Sequence, residues 1–196
     1  MSEADNKKKL VREHPFTYEA YAAMPEDGNR YEIVDGILEL MSPGPALPHQ
    51  SVSAELEYLL NSSCRSEYMI FHAPLDLILS PTDMRQPDVM IVHRSRQHIL
   101  TNRGIEGPPD VIAEILSPGS KRRDRLSKAA TYAKYGVEEY WIVDPDGESL
   151  EQYMLRGSVY ELIEVYEGDA PLRSDKLPCA TFTMNELFAN VVKPGR

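Results

Sequence analysis

Apolar positions in this chain fall mostly into short runs separated by proline and glycine, and helical repeats are few. Residues 49–61 put Val52, Leu56, Leu59 and Leu60 on one face, a spacing that predicts a helix. Thr17 is placed to cap a shorter helix, which Pro25 ends. Residues 30–41 alternate on both sides of Asp35-Gly36, a dipeptide that predicts a tight hairpin. Three prolines within 42–48 predict a loop.

Further along, residues 69–71 and 75–79 predict strands. The nearly continuous apolar runs 87–92 and 110–116 predict buried strands. The polar stretch 93–109, with Gly104, Gly107, Pro108 and Pro109, predicts a loop or lid. A helix is expected to open at Ser120 or just after it and to run to Tyr135, with Gly136 as its stop. Residues 138–144 predict a strand, Pro145-Asp146-Gly147 a turn, and two amphipathic strands follow near 150–155 and 159–166. A short helix over 182–189 closes the series. The order helix, strand, strand, strand, helix, strand predicts an α/β or α+β fold, with helices packed on a mixed sheet behind an N-terminal β-hairpin.

A chain of 196 residues is long enough to bury a core without staples, so one domain over 15–196 is expected. Residues 1–14 are polar and predict a disordered arm. Cys64 and Cys179 show no metal or disulfide spacing, so two inert thiols in a reducing compartment are expected. No run is apolar enough to span a membrane, and no apolar core follows the charged N-terminus. Cytoplasm is the location these features imply.

The net charge of −10 speaks against a general nucleic-acid binder. Clustering changes that picture. Residues 121–128 hold five basic residues and one acid, among them Arg122, Arg123 and Arg125. Arg85, Arg94, Arg96 and Arg103 make a looser second group. The first cluster can grip phosphates; equally, it can be a solvated helix face.

The chemistry centres on two acids in apolar surroundings. Glu114 sits among Val111, Ile112, Ala113, Ile115 and Leu116, where an unpartnered carboxylate is costly. Asp88 begins another apolar strand. If those strands are neighbours, the two carboxylates converge at one sheet end and call for a divalent cation, with hard oxygen donors favouring Mg2+ or Mn2+. The plainer reading leaves each acid in water at a strand end. Lys128, on the next helix, can approach Glu114 and steady negative charge on a phosphate or an attacking hydroxide; otherwise it pairs with Asp124 four residues earlier. Tyr132, Tyr140 and Trp141 read as core aromatics.

The run Pro87-Asp88, the run from Pro109-Asp110 through Glu114 to Ser117-Pro118, then Asp124, Lys128, Tyr132 and the stretch from Gly136 to Pro145 closely resemble the Uma-two family. These are restriction-endonuclease-like proteins of the PD-(D/E)xK superfamily. Residues 31–36 and His49 resemble the family's opening motif, and the likeness spans roughly 17–188. The resemblance implies a restriction-endonuclease-like fold, Asp88 and Glu114 as metal ligands, and a lysine as catalytic cation. The strict superfamily pattern would put that lysine where Leu116 stands, so Lys128 is expected to have taken over its role from the helix. Glu32 is a further candidate acid, and His49 a residue that orients a ligand or binds phosphate.

The reading is therefore a metal-dependent endonuclease acting on DNA, with RNA as the less favoured substrate. Asp88, Glu114 and the carbonyl of Ile115 hold Mg2+, Lys128 stabilises developing charge, and residues 121–125 position the backbone. A homodimer is expected by fold analogy. Two alternatives stand beside it: a non-catalytic nucleic-acid or protein interaction module, and a hydrolase of small phosphorylated molecules.

Overall fold

The computed structural model describes residues 14–41, 44, 46–117 and 124–192, with the backbone alone for Asp124 and Arg125. Residues 1–13 of the expected arm lie outside them. Two mixed sheets carry the fold. One has the order β2-β1-β5-β4-β8-β7, built from β1 (Tyr31–Val34), β2 (Ile37–Leu40), β4 (Leu77–Ser80), β5 (Asp83–Arg85), β7 (Leu100–Thr101) and β8 (Gly104–Glu106). The other has the order β12-β11-β10-β9-β6-β3. Its members are β3 (Tyr68–His72), β6 (Val89–His93), β9 (Val111–Ile115), β10 (Glu139–Asp144), β11 (Ser149–Arg156) and β12 (Val159–Glu167).

The expected hairpin forms as β1 and β2, with Asp35 at φ 48° and Gly36 at φ 74°. Both central residues are left-handed, as a turn of this twist requires. A Cβ on Gly36 would lie 2.4 Å from Pro15 Cβ, so this glycine also makes room for the chain ahead of the first helix. That helix is α1 (Tyr18–Ala22), and Thr17 caps it by accepting from the Ala20 N–H at 3.3 Å.

In the second sheet β9 runs parallel to β10 and antiparallel to β6. Its residues alternate between two cores. Val111, Ala113 and Ile115 face α2 (Leu47–Cys64) through Val52, Leu56 and Leu60. Ile112 and Leu116 face the opposite side, where Tyr132 and Val137 cover the sheet. Helix α3 (Ala129–Lys134) supplies Tyr132 and continues directly from a π turn over Asp124–Lys128. Gly136, at φ 77°, stops it as expected. The fold is the anticipated mixed α+β arrangement.

Two expectations are corrected. Residues 93–109 do not form a free loop or lid: a 3-10 turn (Arg94–Ile99) leads into β7 and β8, and β8 pairs in parallel with β4. Ile99 and Ile105 are buried and draw this polar stretch onto the first sheet. The cysteines are not free thiols. Cys64, at the end of α2, forms a disulfide with Cys179 across 115 residues. The segment leading to α4 (Met184–Phe188) folds back over α2 and the second sheet, burying Leu172, Leu177, Ala180, Phe182 and Leu187. Spacing rules look for nearby cysteines and could not register a pair that only this return path brings together. No helix among the described residues is long and apolar enough to cross a membrane.

Candidate active site

Glu114 projects from β9 on the face opposite α2, since its neighbours Ala113 and Ile115 belong to the α2 core. Its carboxylate is 1 % exposed. Val89 pairs with Ala113, so the antiparallel register puts Asp88, one residue before β6, beside Glu114. The two candidate acids therefore come from neighbouring strands and share one end of the sheet.

Asp88 is held by two donors. The Ile115 N–H donates to Oδ2 at 2.8 Å, and His49 Nε2 lies 3.0 Å from the same oxygen. His49 reaches it from the first turn of α2 and is itself buried. Its Nδ1 is buried without a partner among the described residues. The Asp88 side chain keeps 18 % of its surface open. Burial pushes its carboxyl pKa up, but the His49 bond, the positive charges of Lys128 and His49, and the Ile115 N–H outweigh that and hold it below the ordinary carboxylate value.

Lys128 closes the group. It is the last residue of the π turn, and its Nζ donates to Glu114 Oε2 at 2.6 Å. One helical turn on, the Tyr132 hydroxyl donates to Glu114 Oε1, also at 2.6 Å. Burial and the negative charges of Glu114 and Glu32 push the Tyr132 hydroxyl well above its ordinary pKa, so it keeps its proton and acts as a donor. The lysine is thus buried against Glu114, where an exposed pair with Asp124 was the plainer alternative.

Glu32, on β1, is 1 % exposed and accepts from Arg85 Nη1 at 3.1 Å and from the Gln86 N–H at 3.2 Å. Arg85 Nη2 continues to Thr131 Oγ1 at 2.7 Å and Ser127 Oγ at 3.3 Å. This ties the first sheet to the segment that carries Lys128. Sequence reasoning missed Arg85 because it counted the residue with a surface basic group. The other three arginines are each tied to groups of the protein. Arg96 bonds Asp110 and the Pro108 carbonyl, Arg94 the Arg65 carbonyl, and Arg103 stacks on Tyr18 beside Glu19 and Glu106. Tyr132 was read as a core aromatic; its place four residues after Lys128, on the same helical face, was the signal available.

Arg122 and Arg123 lie outside the described residues, as does the side chain of Arg125. No group of three or more His, Cys, Asp or Glu side chains placed to hold a metal ion occurs among the described residues. Asp88 and Glu114 are the two carboxylates at this sheet end, and carboxylate oxygens are hard donors.

Residues 18–185 match a family model named Uma2 and described as "Putative restriction endonuclease". No curated protein matches the chain. Among solved structures, a protein from Anabaena variabilis described as "a putative nuclease belonging to DUF820" is similar with a TM-score of 0.74. It is 22 % identical, and the alignment covers 91 % of this chain and 100 % of that one. At that identity the likeness establishes the fold. Matched from Tyr18 to Asn185, the chain belongs to the Uma2 family of restriction-endonuclease-like proteins.

Proposed function

We propose that this protein is a divalent-metal-dependent endonuclease that hydrolyses phosphodiester bonds of DNA. One observation carries the reading: the Lys128 ammonium bonds Glu114, and its charge also reaches Asp88 from the next strand. Two acids and an amine from separate elements meet at one sheet end, which the acids' apolar neighbours alone would not require.

Asp88, Glu114 and the Ile115 carbonyl are the groups that would hold Mg2+ or Mn2+. A cation there supplies a Lewis acid for the scissile phosphate and lowers the pKa of a bound water. The protein's own groups do the rest. His49 and the Ile115 N–H take Asp88 Oδ2, keep the group ionised and leave Oδ1 as the oxygen to offer. Tyr132 fixes Glu114. Lys128 places positive charge where the phosphate gains negative charge. Glu32 contributes as a buried acid whose charge reaches Tyr132. Arg122, Arg123 and Arg125 grip the nucleic-acid backbone, which offsets a net charge of −10. A homodimer is the assembly in which two such sites cut two strands.

A second reading, a non-catalytic interaction module, draws on one observation: both Glu114 oxygens already accept hydrogen bonds from the protein. Plasmid nicking separates the two. Supercoiled DNA with Mn2+ is expected to be nicked by the wild type, and at least ~100-fold more slowly by Glu114→Ala and Lys128→Ala, the scale of losing one group that stabilises transition-state charge. Equal nicking by all three would assign the activity to a contaminant. No nicking by any of them, with Mn2+ binding intact, would favour the interaction module.

A further inference from the structure

We infer that Arg85 is a positioning residue for Lys128. The inference rests on the proposed role of Lys128 at the phosphate and extends it to a group that touches no substrate.

Arg85 is fully buried, although it carries a charge and its Nε has no partner among the described residues. A guanidinium in such a place is a poor choice for stability alone, since apolar side chains of similar volume usually serve a core as well or better. Its bonds show what it is suited to. One arm meets Glu32 on β1. The other meets Ser127 and Thr131, the residues one before and three after Lys128. Thr131 Oγ1 in turn donates to the Ser127 carbonyl at 3.2 Å, so the guanidinium caps one closed turn that has Lys128 within it.

That turn is where the helix changes from π to α geometry. A π turn is uncommon, less favourable than α, and often found at functional sites. Without an outside hold it can rewind into α geometry, which would rotate Lys128 about the helix axis and away from Glu114. Arg85 supplies the hold from the rigid first sheet. It also lies three residues before Asp88 in sequence. One short connector thus delivers the metal-facing acid and locks the turn that delivers the amine.

The test uses full-length protein with Arg85→Lys, Thr131→Val and the charge-balanced pair Arg85→Met/Glu32→Gln, which leaves no unpaired acid if the single changes fail to fold. Nicking of supercoiled plasmid with Mn2+ gives kcat and KM. Each variant is expected to lose about ten- to a hundred-fold in kcat, the scale of a misplaced catalytic group, with KM within about two-fold of wild type by the same reasoning. In a Lys128→Gln background Arg85→Lys and Thr131→Val should alter the residual rate by less than about two-fold, because a residue acting through Lys128 has nothing left to position. Equal losses in both backgrounds, or full activity in a folded variant, would overturn the inference.

Hydrogen exchange decides the matter if the residual rate falls below detection, or if the wild type cuts nothing and the nuclease reading itself fails. Faster exchange over residues 124–134, with the rest of the chain unchanged, supports the hold. Unchanged exchange there refutes it.

Discussion

Lys128 Nζ stands 2.6 Å from Glu114 Oε2, and neither side chain is more than 9 % exposed. Fourteen residues and a change of element separate them, so folding alone creates the pair. Removing one member of a buried ion pair leaves the other charge stranded, at a cost of about 3–5 kcal/mol. Lys128→Met should therefore lower unfolding stability by about 3 kcal/mol in urea. Lys128→Met/Glu114→Gln should recover much of that loss. A single variant as stable as wild type would show that Glu114 does not depend on the amine.

Acid sensitivity should track Asp88. Its pKa in the folded state lies below the ordinary 3.8, so it contributes stability that is complete above that value. The contribution disappears as pH falls through the lower, folded-state pKa. Circular dichroism across an acid titration should show Asp88→Asn with a flatter decline below pH ~4 than wild type. His49→Ala, which removes one of the groups that lower the pKa, should fall between them.

Cation binding should fail with the same acid. Calorimetric titration of Mn2+ is expected to give a saturable heat with wild type and at least ~10-fold weaker binding with Asp88→Ala, the scale of losing a ligand or its support. Identical isotherms for the two proteins would remove Asp88 from the ligand set.

The cross-link between Cys64 and Cys179 closes a 115-residue loop. Chain-entropy arguments give such a bond about 5 kcal/mol, mostly by limiting the unfolded ensemble. Reductant, or Cys64→Ala/Cys179→Ala, should lower the urea midpoint accordingly. The spectrum of the folded state should not change, because the apolar face of the C-terminal segment stays buried.

Gly36→Ala should be costly for an exposed turn. The backbone there is left-handed at φ 74°, and the new Cβ would collide with Pro15. A loss of about 2 kcal/mol is expected from the strain and the displaced chain together. The measurement is thermal unfolding against Gly28→Ala, which is also left-handed but has open space around its Cβ.

Much of this molecule was legible in the sequence for a local reason. Asp35-Gly36 encodes its own turn, and a short, nearly continuous apolar run such as 110–116, stopped by Ser117-Pro118-Gly119, favours a buried strand. The meeting of Asp88 and Glu114 was legible because each acid stood in an apolar run it could not join without a partner, and Lys128 because it lies on the helix after the Glu114 strand. What escaped was non-local. Arg85 looks like any surface arginine until β1 and the Lys128 segment close around it. Ile99 and Ile105 turn a polar stretch into strands because a neighbouring sheet edge accepts them. The cysteine pair depends on the path the chain takes after β12, which no spacing rule encodes.

The pairing of β6 with β9 has a consequence for how the site can vary. Displaced by a single residue, Val89 and Ile91 would leave the core beneath α2 for the opposite core, where Met90 and Val92 now pack, and Asp88 would change faces with them. Fitting each set of apolar side chains to its own core therefore also aims the acid. Changes to the strand's apolar residues can misdirect the chemistry without touching a charged group.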